Sequence, residues 1–296
     1  MPYLFSSFTI FLFFLLSIYL VYSMTLPDRI ITGNEDYGSR VITADGLGNG
    51  DYTTIQAAIN AAQSQTPATD SRWLVIIAPG EYAESLTLYD YIDIAGMGAG
   101  YSSHLLSLSN QAAITNGAEV TISNLRISGE NDPVIQTGAS HTGVMRFENC
   151  VSDNDTDEVN LFQLVSGTVE IIDSQLISQG RIFYITTGTL KTYDSTFIRD
   201  GGENEPPLEI AGAATVEAHR SSFLNTGVGG GAAVKITTGT PTSVIFHHSL
   251  FRLASGTYSI DVTTGTPAIY LAACMANADI DVDFTGTHDV QVDSNF

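Results

Sequence analysis

Residues 41–98 read VITADGLGNGDYTTIQAAINAAQSQTPATDSRWLVIIAPGEYAESLTLYDYIDIAGMG, and this stretch decides the fold. Thr53 or Thr54 can cap a short helix, because Ile55, Ala58, Ile59 and Ala62 fall at i, i+3, i+4 and i+7 and make one apolar face. A strand-length apolar run follows at Leu74 to Ala78, then the turn Pro79-Gly80-Glu81, then Leu86 to Leu88 and Ile92 to Ala95. One amphipathic helix ahead of short strands broken by Gly and Pro predicts a stack of strands with its first end plugged. An open stack needs such a plug, since its outer pairing edge and its core would otherwise meet water.

The same stretch carries a family resemblance. TTIQAAINAA, VIIAPGEYAESLTL and IDIAGMG resemble the opening of pectinesterases and of the wider pectin lyase-like superfamily. The resemblance implies a right-handed parallel β-helix and, for many members, action on acidic plant polysaccharides. It covers roughly the first fifth of the chain in motif detail and reaches the rest only through repeats. The resemblance speaks to scaffold more than to chemistry.

Downstream, one pattern recurs. A Gly opens each unit at Gly117, Gly143, Gly167, Gly188, Gly212, Gly239, Gly265 and Gly286, at intervals between 21 and 27 residues. A small polar residue two before a large apolar one keeps the same period: Ser123/Leu125, Asn149/Val151, Ser174/Leu176, Ser195/Phe197, Ser221/Phe223 and Ser249/Phe251, then Ala273/Met275 and Ser294/Phe296. Two independent markers with one period argue a solenoid. Runs such as Thr168 to Ile172 and Val244 to Phe246, with Thr-Gly turns, make its units strands. The expected fold is all-β: a single-stranded right-handed parallel β-helix of roughly nine rungs with an N-terminal capping helix. The small polar residues should stack at one inner corner as a hydrogen-bonded ladder.

The domain plan follows. Residues 1–23 read as a signal peptide, a membrane anchor or a mis-called leader, since residues 2–26 carry no charge and about 20 apolar residues can span a bilayer. Residues 24–40 form an N-terminal extension, and 41–296 the β-helix with its cap at 41–73. The expected localisation is secreted or cell-surface, with membrane contact only through residues 1–23 if these stay uncleaved. By this register the final rung carries no cap, for which a partner chain, self-association or a truncated reading frame would each account.

Charge bounds the partners. Acidic residues number 32 against 11 basic ones, a net charge of −21, and Lys191 and Lys235 are the only lysines. Such a surface repels phosphate backbones, so no nucleic acid is expected. It also opposes a polyanion such as pectate unless cations bridge the two. A polysaccharide or cell-surface glycan remains the expected partner class.

The resemblance implies an Asp pair, Gln donors and an Arg for ester hydrolysis. Asn154-Asp155-Thr156-Asp157 is the nearest match to the family's first acidic run, which puts Asp155 beside the nucleophile position. The second place reads Arg181-Ile182-Phe183-Tyr184-Ile185, without an acid, and the third run has no counterpart. Losing one of two paired carboxylates removes the nucleophile or its acid/base partner. Asp153, Asp155 and Asp157 alternate like the first ligands of a calcium loop, but the Gly at position six and the Glu at position twelve are missing. A solvated acidic loop is the plainer reading. No cofactor is expected, and calcium is the one ion this spacing would suit. Asp279, Asp281 and Asp283 read as the wet face of one strand.

The repeat register offers one more set. Glu148, Asp173, Asp194, Arg220 and His248 precede the small polar marker on successive rungs, which sends them outward as a row. Phe147, Ile172, Tyr193 and Leu271 then point inward. Rungs about 4.8 Å apart would hold adjacent carboxylates near the separation used by retaining glycosidases. Exposed residues on a regular face are the alternative reading. His219 and His247 interrupt the inner column and read as satisfied core histidines. Cys150 and Cys274 fall five rungs apart, about 24 Å, beyond disulfide reach. Two function classes stay open: an exported non-catalytic β-helix, structural or glycan-contacting in the manner of a viral fibre, and a carbohydrate esterase, lyase or hydrolase.

Overall fold

The computed structural model describes residues 37–98, 102–107, 114–115, 119–129, 133–139, 141–155, 159–229, 231–237, 243–254, 259–263, 268–276 and 289–293. The readings of residues 1–23, Asp157, Asp279, Asp281, Asp283, and of Gly117, Gly239, Gly265 and Gly286, lie outside these. The described residues form one unit beginning at Tyr37.

Among the described residues every strand pairing is parallel, and the chain is a right-handed parallel β-helix. One turn illustrates all. Val144–Glu148 runs along a long face, Val151–Asn154 along a back face, and Phe162–Leu164 along a short face before the next long-face strand at Thr168–Ile172. Two long strands, Phe183–Tyr193 and Leu208–His219, run unbroken from the short face onto the long one and fuse both into a 17-stranded sheet. The back face is a separate nine-stranded sheet, one strand per turn. Parallel ladders leave no room for tight hairpins, so each turn must go around the whole core to reach its partner.

The helix α1 (Ile55–Gln63) plugs the first end. Ile55, Ala58, Ile59 and Ala62 are all fully buried, as their spacing predicts. Thr54 is the cap, accepting from the Ala57 N–H at 3.2 Å. The Glu84 carboxylate takes the N–H groups of Ile55 and Gln56 at 2.9 and 3.0 Å, so the helix start meets an anion as its dipole prefers.

Inside, equal rungs stack equal side chains. Phe197, Phe223 and Phe251 form a back-face column with centroids 5.0 and 5.9 Å apart, and Phe246 closes on Phe223 at 5.7 Å. The predicted hydroxyl ladder is present. Ser174, Ser195, Ser221 and Ser249 donate to the carbonyls of Ile172, Tyr193, His219 and His247 at 2.8 to 3.2 Å. Ser174 and Ser195 also accept the N–H of the residue one rung earlier, Cys150 and Ser174, at 3.0 and 3.1 Å.

The ends of that ladder correct the register. Val151, Gln175, Thr196, Ser222, Leu250 and Met275 are partners on successive rungs. Cys150 and Cys274 therefore hold the serine places, where Asn149 and Ala273 had been expected, and Leu125 holds the one expected for Ser123. Each thiol lies 3.5 Å from the carbonyl two residues back, the same acceptor position that the serines use. A marker defined by polarity missed a sulfur isostere. Gly212 is likewise not equivalent to Gly188, which pairs with Ala214. An extra residue bulges the strand there, and a Cβ on Gly212 would sit 1.9 Å from the Thr186 carbonyl oxygen.

Both cysteines are free. Burial pushes the Cys150 thiol up to about 12, so thiol reagents should leave it untouched until unfolding. Non-reducing mass mapping should find no Cys150–Cys274 bridge within the native chain, and finding one would refute the register. Cys150→Ser should shift stability by less than about 1.5 kcal/mol, since a hydroxyl makes the same bond on four neighbouring rungs.

Candidate functional site

The expected catalytic row divides once the register is corrected. The residues that turn from long face to back face are Asn124, Asn149, Asp173, Asp194, Arg220, His248 and Ala273, all left-handed with φ between 48° and 55°. That conformation costs an L-residue about 1–2 kcal/mol and is easiest for Asn and Asp. Asp173, Asp194, Arg220 and His248 thus occupy a backbone corner. Glu148 is not among them. It sits one place earlier, at the end of a long-face strand and level with Ile172.

The corner neutralises itself along the axis. Arg220 grips Asp194 with two bonds of 2.7 and 2.6 Å, and this holds the Asp194 carboxyl below the ordinary Asp range. At neutral pH it is an anion already committed to a cation, so it carries no proton to donate. Asn149 donates to Asn124 at 2.5 Å.

The long face presents two outward columns. One runs Arg146, Glu170, Lys191, Glu217 on successive rungs, alternating in sign. Arg146 lies 2.8 Å from Glu170 and 3.9 Å from Glu148. The other column brings together Tyr193, His219 and His247, which corrects two expectations. Tyr193 and Ile172 point outward, as do both histidines, because Thr192, Ala218 and Phe246 fill the inner places. A one-residue slip in register moves every side chain to the opposite face. The Tyr193 and His219 rings stack at 5.3 Å and 6°, His219 and His247 at 4.8 Å and 10°, and Tyr270 follows at 5.7 Å and 53°. Glu217 meets His219 Nε2 at 2.8 Å. Burial first, and the neighbouring His219 second, push His247 below the ordinary imidazole range.

The short face centres on Arg181. Its guanidinium reaches Glu209 at 2.5 Å and Glu205 at 2.9 Å, bonds Asn160 Oδ1 at 3.4 Å, and lies over the Tyr184 ring. Thr237 donates to the other Glu209 oxygen at 3.1 Å, and Gln136 to Gln163 at 3.0 Å. Sequence reasoning placed Arg181 where an acid was wanting but missed its two carboxylates. A usable signal existed: its partners lie 24 and 28 residues on, and the Arg146, Arg126 and Asp194 pairs span 24, 27 and 26, each about one period.

Asp155 is exposed on the loop after the back face, next to Asp153, which Arg126 holds at 2.9 Å. Burial first, and then the field of these two carboxylates, raises Asp200 above its ordinary range. Among the described residues no group of three His, Cys, Asp or Glu side chains could hold a metal ion. No described helix is long and apolar enough to cross a membrane.

No family model and no curated relative matches the sequence. Among solved structures, the pectin methylesterase of Aspergillus niger is similar at 13% identity and a TM-score of 0.60, over 88% of this chain and 92% of that one. The pectin methylesterase of carrot is similar at 12% identity and 0.58, over 88% and 90%. At such identities the likeness is one of architecture: this chain has the pectin lyase-like right-handed parallel β-helix fold.

Proposed function

We propose that this chain is an exported, non-catalytic β-helix module whose long face contacts glycans. One observation carries the reading: among the described residues, three outward acids are each tied along the axis to a guanidinium about one rung away. Asp194 is tied to Arg220, Glu170 to Arg146, and Glu209 to Arg181. Two-carboxylate chemistry needs one acid kept protonated and another left free, each aimed at the same bond. A carboxylate clamped by a guanidinium is a poor base and a poor acid. The apolar leader at residues 1–23 supports export, and the fold shared with enzymes named for pectin supports a glycan partner.

The competing reading is a carbohydrate esterase, lyase or hydrolase on an acidic polysaccharide. Product analysis after long incubation with a polysaccharide panel separates the two. Chains should come back unshortened from the parent and from an Asp173→Asn/Asp194→Asn double variant alike. Turnover by the parent that this double variant abolishes would replace the module with an enzyme.

A further inference from the structure

The long face differs in charge from the molecule around it, and the difference names a ligand class. The chain carries a net charge of −21. On the long face, however, Arg146 pairs with Glu170, Lys191 lies between Glu170 and Glu217 in the ladder, and Glu217 meets His219. Away from this face several cations are committed as well. Arg72, Arg126, Arg181 and Arg220 each bond a carboxylate, and Arg199 is fully buried.

Resting on the glycan-contact reading, we propose that the long face binds an uncharged polysaccharide laid along the solenoid axis. A polyanion meets long-range repulsion, and on this face the Arg146 guanidinium is already bonded to Glu170. A polycation gains from the distant field, but on this face it finds carboxylates already held by Arg146 and His219. An uncharged chain needs neither. It needs hydrogen-bonding groups at a regular rise, and the rungs supply them about every 4.8 Å.

The ring geometry says how such a chain is read. Tyr193, His219 and His247 cover each other's faces at 5.3 and 4.8 Å, within 10° of parallel. His219 is therefore covered on both faces and each neighbour on one, which leaves the ring edges as the bonding groups of the column. Edges offer a phenol hydroxyl and imidazole nitrogens, which bond hydroxyls. Burial keeps His247 largely uncharged near neutral pH, able to donate at one nitrogen and accept at the other.

The test compares three soluble polymers: hydroxyethylcellulose as an uncharged β-glucan, sodium polygalacturonate, and partially deacetylated chitin. Isothermal titration at 50 and 500 mM salt should show binding to the glucan that changes less than about twofold, because screening acts on charges alone. His247→Ala and Tyr193→Ala should each weaken it about tenfold, the worth of one or two hydrogen bonds. Both residues are half-buried on the outer face, so circular dichroism should confirm a retained fold, and Arg252→Ala on the back face serves as a control. Preference for polygalacturonate, or salt-sensitive binding to the amine polymer, would overturn the inference while leaving glycan contact intact. Glucan binding indifferent to both variants would overturn the choice of face. Binding to none of the three would bring down the glycan-contact reading and this inference with it.

Discussion

Phe223→Asp should leave no folded protein. Phe223 is fully buried, between Phe197 at 5.0 Å and Phe251 at 5.9 Å, with Phe246 edge-on at 5.7 Å. Truncating such a ring to alanine costs about 3–5 kcal/mol through lost burial and the cavity left behind. An aspartate adds the expense of a carboxylate with no partner in an apolar column. The sum exceeds the about 5–15 kcal/mol by which domains of ordinary stability are held, or comes close to it. Phe223→Leu is the matched control and should cost under about 1.5 kcal/mol. Far-UV circular dichroism and chemical denaturation check both. A cooperatively folding Phe223→Asp protein would mean that this residue does not face the core.

The second large effect is at the capped end. Arg72 and Asp93 form a buried pair with bonds of 2.7 and 2.5 Å, their side chains 9% and 3% exposed. Tyr37 donates to the same carboxylate at 2.7 Å and the Thr121 N–H at 2.6 Å. Removing one member strands the other charge away from water. Arg72→Met should therefore destabilise by about 3–5 kcal/mol. Arg72→Met/Asp93→Leu should recover part of that loss, because an apolar pair avoids the desolvation both charges suffer while the Tyr37 hydroxyl and the Thr121 N–H lose their acceptor. Urea unfolding of the two singles and the double closes the cycle. A double variant as unstable as the sum of its singles would show that the pair is not what these residues contribute.

Much of the fold was legible because the solenoid repeats its own rules. Ile55, Ala58, Ile59 and Ala62 gave the plug, and the period of Ser174, Ser195, Ser221 and Ser249 gave the rungs, since a hydroxyl inside a corner must find the same carbonyl on every turn. The register failed where chemistry changed but shape did not. Cys150 and Cys274 took the serine place, so the neighbouring residues were read one position off. That slip sent Tyr193, His219 and His247 inward on paper, although the structure stacks them outside. It also drew Glu148 into a row that belongs to left-handed corner residues. Asp173 and Asp194 stand at a left-handed corner whose backbone a compact polar side chain tolerates, a constraint that a charge-based reading does not see. The ion pairs of Arg146, Arg181 and Arg220 were hidden for another reason. Their partners lie one period away in sequence, where a search for local charge clusters does not look.

The most direct test of the non-catalytic proposal is methanol release from highly methyl-esterified pectin. Ester hydrolysis in the resembling family needs two acids and an Arg over one groove. Here Arg181 is bound to Glu205 and Glu209, and Asp155 stands exposed on a loop beside Asp153. Purified protein should release no methanol above the buffer rate across neutral and acidic pH, and Asp155→Asn should change nothing. Robust methanol release by the parent, abolished by Asp155→Asn, would contradict the account and make this chain an esterase.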